Sequence, residues 1–372
     1  MRKLIFLFVI TAVVMSCSSD PEYLVRGTLE GSDECKIYLQ KRESGQFARI
    51  DSAVVEDGVF QISGGSVDYP RAYYLSVEGK RGYLMFFLEN TDITITAHSD
   101  SLYNAEVTGS VTHSEYITYS KGLEPLYERN NNLFKQAGLA RYAGDTEKAA
   151  GIDSVRELVF EEIHEYSMEY IKSNPSSFCI PVILRSVSSE MSGDELETCV
   201  NQLDARLMQS QIIVDLKEKV EKLKKVATGE VAPDFTQDNP DGIPVSLSEM
   251  IGPDLLLVYF WASWCGECRQ ENHNVLALYK EFHDIGFDVL GVSLDRERDN
   301  WMQAISEDEL EWTNISDLGY WNNEAADLYA VSSIPAGFLL DPEGRILAGN
   351  LEGDDLRKTV SGILGHATDE DR

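Results

Sequence analysis

The sequence LLLVYFWASWCGEC, residues 255–268, decides the fold of the C-terminal part of this chain. Its first seven residues, Leu255–Trp261, form a continuous apolar run, which is typical of a strand buried on both faces of a sheet. Two cysteines, Cys265 and Cys268, follow, and the segment 269–283 has a helical pattern. The stretch therefore predicts a buried strand that passes into a helix, with both cysteines at the junction.

The residues downstream continue this alternation of strands and helices. The pattern predicts a second buried strand at 287–294, helices at 298–306, 323–330 and 354–364, and a hairpin of 337–340 with 345–348. This order of elements indicates an α/β layer fold with a central mixed sheet, which we assign to residues 229–372.

Two regions with other patterns of apolar and polar residues precede this domain. Residues 17–112 alternate apolar and polar side chains, as around Phe60 and Ile62, which predicts a small antiparallel β-sandwich or open barrel. Residues 113–228 have apolar side chains at helical spacing, and helices are predicted at 155–172, 194–208 and 213–227. The chain is thus expected to be multidomain, with an N-terminal antiparallel β domain, a helical middle region and a C-terminal α/β domain.

The first residues predict export from the cytoplasm. Arg2 and Lys3 precede an apolar run, residues 4–15, that is too short to span a bilayer as a mature helix. We interpret residues 1–16 as a signal peptide, and the segment ending at Cys17 resembles the lipobox of bacterial lipoproteins, in which the cysteine is acylated. The resemblance implies a lipid anchor and a periplasm-facing place in a bacterial cell envelope, on the inner or the outer membrane. Cleavage without lipidation is the alternative.

The charge of the chain disfavours nucleic acid as a partner. Its 32 basic and 63 acidic residues give a net charge of −31, whereas binding to a phosphate backbone depends on neutralisation by Lys and Arg. From Ala227 onward there are 8 basic and 29 acidic residues, so most of the excess lies on the α/β domain. We expect this field to attract basic or apolar surfaces of partner proteins, although a general contribution to solubility is the simpler interpretation.

The position of Cys265 has the features of a reactive thiol. The first turn of a helix presents unpaired N–H groups and the positive end of the helix dipole, and both favour thiolate over thiol. Cys268 lies one turn later, within reach of Cys265, and is expected to face inward. We predict that Cys265 attacks a disulfide and that Cys268 resolves the resulting mixed disulfide.

Residues 230–365 resemble the thioredoxin fold, and more closely the membrane-tethered TlpA/ResA-like thiol–disulfide oxidoreductases. The resemblance rests on the motif WCGEC at 264–268, on the entry segment 231–235, and on Ser333-Ile334-Pro335 followed by the strand 337–341. It implies that the C-terminal α/β domain has a thioredoxin-like fold and that the chain is an enzyme of thiol–disulfide exchange.

The resemblance also implies roles for individual residues. Pro335 would be a cis-proline facing the cysteines, and the backbone of Ile334, together with Trp264, would contact the substrate chain. Glu271 would be the third catalytic residue after Cys265 and Cys268, because a partly buried carboxyl there can exchange a proton with Cys268 near neutral pH.

Three positions depart from thioredoxin itself. Tyr259 replaces a buried aspartate, Glu267 replaces the proline between the cysteines, and His273, expected on the helix surface, replaces a helix-kinking proline. The carboxylate of Glu267 makes a thiolate at Cys265 less stable than a histidine at position 267 would. The dithiol of Cys265 and Cys268 is therefore predicted to be reducing. We therefore expect a reductase whose substrates are envelope proteins that carry disulfides. A membrane thiol protein that donates electrons is expected to return the enzyme to its reduced form. No bound cofactor is expected.

Other interpretations of the cysteines stay open. A zinc site would need a second ligand pair, which the sequence lacks, so no metal is expected. A peroxiredoxin-like thiol peroxidase would share the fold, but Ala262 and Val258 stand where such a site has threonine and proline. A non-catalytic scaffolding or binding lipoprotein would use the other domains. Among the remaining cysteines, which are Cys35, Cys179 and Cys199, the last two are the plausible structural pair.

Overall fold

The computed structural model describes residues 22–32, 34–43, 46–351 and 353–370. The predicted signal peptide, residues 1–16, and the predicted lipidation site, Cys17, lie outside the described residues. The chain divides into two compact units: an N-terminal unit that ends at Tyr166 and also includes Ser177–Ile180, and a C-terminal unit of Ser167–Ser176 and the chain from Pro181 onward. No helix in the described ranges is both long enough and apolar enough to cross a bilayer.

The N-terminal unit begins with a β-sandwich. Its described strands are β1 (Tyr23–Glu30), β2 (Lys36–Glu43), β3 (Gln46–Val54), β4 (Val59–Gly64), β5 (Arg71–Val77), β6 (Leu84–Leu88), β7 (Asp92–His98) and β8 (Glu106–Thr108). They form two four-stranded sheets, in the orders β4-β1-β7-β8 and β3-β2-β5-β6. One core contains side chains of both sheets, such as Val25 and Ile93 from the first and Leu39 and Phe86 from the second. Of the two predicted forms, the sandwich is the one observed.

The period-two pattern that predicted these strands is visible in their burial. Along β7, Ile93 and Ile95 are buried while the residues between them are exposed. Neighbouring strands pair antiparallel, except that β1 runs parallel to β7 with Val25 opposite Ile93. A parallel pair needs a long crossover, and the chain between β1 and β7 supplies it, because that chain forms all four strands of the second sheet as well as β4 of the first.

Helices follow the sandwich: α1 (Val111–Tyr142), α2 (Thr146–Ser173), α3 (Ile180–Val187), α4 (Gly193–Gln202) and α5 (Gln211–Lys225). Ser110 caps α1, because its side chain accepts the backbone N–H of His113. The predicted continuous helix at 194–208 is wrong, since the chain divides after α4. The Asp204 carboxylate accepts the backbone N–H of Arg206 at 2.9 Å and starts a separate 3₁₀ turn, Ala205–Gln209.

The α/β part of the C-terminal unit contains further strands and helices. They are β9 (Thr236–Asp238), β10 (Pro244–Ser246), α6 (Leu247–Met250), β11 (Leu255–Trp261), α7 (Gly266–Phe282), β12 (Phe287–Ser293), α8 (Arg298–Glu307), β13 (Thr313–Ile315), α9 (Glu324–Leu328), β14 (Ala336–Leu340), β15 (Ile346–Gly349) and α10 (Gly353–Glu370). Five strands form one sheet in the order β13-β12-β11-β14-β15. Because β11 is parallel to β12 and antiparallel to β14, the predicted central mixed sheet is confirmed.

The middle strand of this sheet positions the two cysteines. Every residue of β11 is buried, as the continuous apolar run predicted. The hydrophobic core around β11 includes Trp261 of this strand, Leu278 of α7 and Val360 of α10. The chain leaves the carboxyl end of β11 and enters α7 at Gly266, so Cys265 and Cys268 lie at the first turn of that helix.

Candidate active site

The two cysteines at the start of α7 form a disulfide. Their Cα atoms are 5.2 Å apart. Cys265 is the N-cap residue of α7, and its Sγ accepts the backbone N–H of Cys268 at 3.1 Å. Cys265 keeps 8% of its surface exposed, whereas Cys268 has none. A donor aimed at Cys265 Sγ and the positive helix end both stabilise a thiolate there, so the geometry favours Cys265 as the attacking sulfur.

The loop before β14 lies against the exposed cysteine. The peptide bond between Ile334 and Pro335 is cis, which agrees with the prediction. Cys265 Sγ is 3.7 Å from the carbonyl oxygen of Ile334. A polypeptide that paired with the backbone at Ile334 would therefore bring its own sulfur next to Cys265.

A buried carboxylate that the sequence analysis missed supports the loop before Cys265. Asp295, at the carboxyl end of β12, is 1% exposed. One carboxylate oxygen accepts the Ser263 hydroxyl at 2.5 Å, and the other accepts the Ser263 backbone N–H at 3.0 Å and the Ser293 hydroxyl at 2.7 Å. The signal was present in the sequence, because a carboxylate directly after a buried strand lies at the same sheet edge as the cysteines.

Trp264 is the most exposed member of an aromatic cluster beside Cys265. The residue is 47% exposed, and its Nε1 donates to the carbonyl of Leu294 at 3.3 Å. The ring centroids of Tyr320 and Trp321 lie 5.2 and 6.2 Å from that of Trp264. Sequence reasoning singled out Trp264 and missed the other two rings, which come from a short 3₁₀ turn without a periodic pattern.

Glu271 is buried, as predicted, with 8% exposure. One carboxylate oxygen accepts the backbone N–H of Gly353, at the start of α10, at 2.6 Å. The other accepts the side-chain amide of Asn274 at 2.7 Å. The contact with Gly353 joins α7 to α10, whereas the contact with Asn274 lies within α7. The exchange of a proton with Cys268 stays a prediction.

One further hydrogen bond reaches Cys268, and a cluster of charged and polar side chains involves the residues that follow it on α7. The Tyr259 hydroxyl, which occupies the place of the buried aspartate of thioredoxin, donates to the carbonyl of Cys268 at 3.4 Å. Arg269 donates to Asp308 at 2.5 and 2.7 Å, and Asn272 donates to the same carboxylate at 2.7 Å. Burial raises the pKa of Asp308, but the hydrogen bonds from Arg269 and Asn272 outweigh it and hold that pKa below its usual value.

The remaining cysteines do not form the disulfide considered from the sequence. Cys199 is a buried thiol on α4, and burial raises its pKa. Cys179 Sγ lies 3.1 Å from the hydroxyl of Ser177. The suggested pair of Cys179 and Cys199 is therefore wrong, because each thiol is enclosed in a different compact unit. Within the described residues, no three His, Cys, Asp or Glu side chains are grouped to hold a metal ion.

Two family descriptions match different parts of the chain. Residues 23–116, the β-sandwich and the start of α1, match a family described as Domain of unknown function (DUF4369). Residues 228–348 match the AhpC/TSA family. The second match contains Cys265, Cys268 and Pro335.

Individual proteins with similar sequences match the same C-terminal part. The thiol–disulfide oxidoreductase ResA of Oceanobacillus iheyensis is 33% identical over 122 residues, which is 32% of this chain and 62% of that protein. ResA of Bacillus subtilis is 26% identical over 127 residues, or 33% of this chain and 67% of that protein. The match thus spans less than two thirds of the first of these relatives.

Solved structures are also similar to this part of the chain. A thiol–disulfide oxidoreductase from Bacteroides fragilis NCTC 9343 is 36% identical, covers 36% of this chain and all of its own, and has a TM-score of 0.35. A thiol:disulfide interchange protein from Bacteroides sp. is 37% identical, covers 38% of this chain and 92% of its own, and has a TM-score of 0.35.

Proposed function

We propose that this chain, whose C-terminal domain is a TlpA/ResA-like thiol–disulfide oxidoreductase domain that follows a DUF4369 domain, reduces disulfides of other proteins through Cys265 and Cys268. One observation carries the proposal. The pair lies at the N-terminus of α7, with the more exposed sulfur 3.7 Å from the carbonyl oxygen of Ile334. This arrangement gives a client disulfide both a nucleophile and a backbone to pair with.

The reaction consists of two exchanges of sulfur bonds. The Cys265 thiolate attacks one sulfur of the client disulfide, the client bond breaks, and the other client sulfur leaves as a thiolate that takes up a proton. The Cys268 thiolate then attacks Cys265 Sγ, and the second client sulfur leaves. The client gains two electrons, and the chain ends with the Cys265–Cys268 disulfide. A donor dithiol reduces this disulfide and is itself oxidised.

The first turn of α7 supports the reducing direction. Glu267 adds a carboxylate to that turn, where an anion opposes a thiolate at Cys265. A less stable thiolate is a poorer leaving group, and the dithiol then has a stronger tendency to become oxidised. A membrane thiol protein is the proposed donor of the electrons.

The compartment and the anchor are part of the proposal. The apolar run at 4–15 and the lipobox-like segment ending at Cys17 support export and acylation. The clients would then be envelope proteins that carry disulfides, on the periplasmic side of the membrane. Labelling with a radioactive fatty acid, lost in Cys17→Ser, tests the anchor.

The activity is tested by comparing the wild-type chain with Cys265→Ser and Cys268→Ser. We expect Cys265→Ser to lower the rate of insulin reduction by more than about a hundredfold, because it removes the nucleophile. Cys268→Ser should accumulate a covalent mixed disulfide with insulin, which is visible on a non-reducing gel. Equal rates in all three proteins would contradict the proposal.

Three measurements separate the alternatives. The reduction potential of the pair should lie near about −270 mV for a reductase, whereas a value near about −120 mV would reverse the electron flow. Fast consumption of peroxide by Cys265 would favour a thiol peroxidase. Undiminished partner binding by Cys265→Ser, with no reductase activity in the wild type, would favour a scaffold.

A further inference from the structure

A cavity of about 570 Å³ lies within the C-terminal unit, beside the loop that faces Cys265. Its volume is in the range of about 300–1,000 Å³ that is usual for ligand sites. One wall comes from the helical region, with Ser189 and Met191 before α4 and with Leu223 of α5. The opposite wall comes from the α/β part and includes residues 329–333 and Pro335.

The cavity and the proposed active site share a boundary. Pro335 lines the cavity, and the carbonyl of the preceding residue, Ile334, lies 3.7 Å from Cys265 Sγ. A chain bound in the cavity and continuing past Pro335 would therefore arrive at the reactive sulfur.

The loop wall offers unpaired backbone groups. Ser332 and Ser333 are exposed, and among the described residues neither backbone forms a hydrogen bond. Exposed N–H and C=O groups without a partner are available to pair with the backbone of an extended polypeptide segment. The cavity thus suits the backbone of a polypeptide better than a purely apolar ligand.

The helical wall offers an apolar surface with one cation. Met191 is buried, Leu223 is half-buried, and both line the cavity together with Lys219. The Lys219 ammonium donates to the carbonyl of Ser188 at 2.8 Å, and burial lowers its pKa. One of its three donors is thereby used, and the wall combines a surface for an apolar side chain with a donor for an oxygen atom.

Contacts on both sides hold the helical wall in place. The Lys222 ammonium of α5 pairs with Asp327 of α9 at 2.5 Å. Directly after α5 the chain joins the edge of the sheet, where Gly229 donates to Ile346 at 2.7 Å and Ile346 donates to Glu230 at 2.9 Å. The wall is therefore attached to the α/β part and can act as a preformed side of a binding groove.

We propose that this cavity is a client groove, in which an extended polypeptide segment next to the client's cysteine binds between the helical wall and residues 332–333. The segment pairs its backbone with Ser332 and Ser333 and places an apolar side chain against Met191 and Leu223. The inference rests on the proposed function, since it identifies the class of substrate that reaches Cys265. It assigns substrate selection to helices outside the α/β domain.

The test fills the groove without touching the cysteines. Ser189→Trp puts a large ring into the cavity, and Ser186→Trp is the matched control, because Ser186 is exposed on α3 and does not line the cavity. The substrates are hydroxyethyl disulfide, which is too small to need the groove, and a 12-residue peptide carrying one glutathione mixed disulfide. We expect Ser189→Trp to lower kcat/KM for the peptide by about tenfold or more and to leave hydroxyethyl disulfide within about twofold. The control should change neither rate.

A binding measurement keeps the groove testable without redox chemistry. A fluorescent peptide of the same sequence, with serine in place of cysteine, is titrated with each protein and followed by anisotropy. We expect weaker binding to Ser189→Trp than to the wild type and to Ser186→Trp. Equal affinities, or equal losses for the peptide and for hydroxyethyl disulfide, would overturn the groove and leave the reductase proposal intact. A wild type that binds the peptide but reduces neither disulfide would overturn the proposed function and leave the groove.

Discussion

At the scale of single residues, Asp295 has the clearest consequence for the site. Its carboxylate receives three donors from Ser263 and Ser293 and has almost no access to water. Removing the acceptor leaves buried donors unpaired, at a penalty of about 1–3 kcal/mol each. We expect Asp295→Ala to lower the free energy of unfolding by about 3 kcal/mol and to lower kcat/KM for peptide and small disulfides alike, because the loop before Cys265 loosens.

The control for this prediction is Asp299→Ala, an exposed acid in the first turn of α8. It should change neither stability nor rate. In a double-mutant cycle, Ser263→Ala should lower the free energy of unfolding by much less in the Asp295→Ala background than in the wild type. Full additivity of the two substitutions would contradict the coupling between the two side chains.

The lowered pKa of Asp308 predicts that the free energy of unfolding depends on pH. Its pKa is lower in the folded chain than in the unfolded chain, where it is about 3.9. A group of this kind stabilises the fold above the unfolded value and loses that contribution as the pH falls through the folded value. We expect Asp308→Asn to lower the free energy of unfolding by about 3 kcal/mol at pH 7, and the difference from the wild type to shrink below about pH 4.

Tryptophan fluorescence during urea unfolding measures this effect, because all five tryptophans lie between Trp261 and Trp321. Glu311→Gln is the control, since Glu311 pairs with Lys280 at 3.1 Å and both side chains are about half exposed. Such surface pairs contribute about 0–1 kcal/mol. A difference between Asp308→Asn and the wild type that stays constant from pH 7 to pH 3 would refute the assignment.

At the scale of helices and strands, predictability follows length and pattern. The strand at Leu255–Trp261 and the helix after Cys265 could be predicted, because seven apolar residues in a row and a motif at a fixed spacing are strong signals. The three-residue strand Thr313–Ile315 could not, since three residues are too few to show a period. The division after α4 depends on one capping contact of Asp204, which periodicity does not register.

The hairpin of α1 and α2 permits a matched pair of substitutions. A Cβ atom at Gly122 would lie 1.9 Å from the Tyr166 hydroxyl, whereas a Cβ at Gly138 meets nothing within 4 Å. Alanine is favoured over glycine in a helix by about 1 kcal/mol. We therefore expect Gly138→Ala to raise the melting temperature and Gly122→Ala to lower it, because the Tyr166 ring must move.

Far-UV circular dichroism during heating gives both melting temperatures. Tyr166→Phe, which removes the clashing hydroxyl, should reduce the loss caused by Gly122→Ala. If Gly122→Ala and Gly138→Ala stabilise the chain equally, the close contact between α1 and α2 does not exist in solution.

At the scale of the whole molecule, the net charge leads to a prediction about how clients of the proposed reductase would approach the site. The chain from Ala227 onward holds 8 basic and 29 acidic residues, so its field extends beyond the site. We expect kcat/KM for a basic disulfide peptide to fall by about tenfold between 20 mM and 500 mM NaCl, because salt screens the attraction. For an acidic peptide of the same length the rate should rise. Rates that do not depend on salt would show that the charge serves solubility alone.

The order of the domains could be predicted from the change between strand-like and helix-like residue patterns along the sequence. Which helices belong to which compact unit could not be predicted. The sequence separates a helical region, 113–228, from an α/β domain, whereas the end of α2 and the chain from Pro181 onward, with α4 and α5, belong to the same compact unit as the site. The contacts responsible, such as Lys222 with Asp327 and Gly229 with Ile346, join residues more than a hundred positions apart. Local periodicity carries no information about such pairs.

In the proposed reaction, the burial of Cys268 separates two routes by which a bound client would be released. The attack of Cys268 on Cys265 Sγ is unimolecular, so the rate constant of that step does not depend on the concentration of glutathione or free cysteine in the surroundings. A dissolved thiol has no access to Cys268 and would release the client only by attacking the mixed disulfide itself, at Cys265 or at the client sulfur. The share of clients released by the internal route is therefore set by competition between these two attacks.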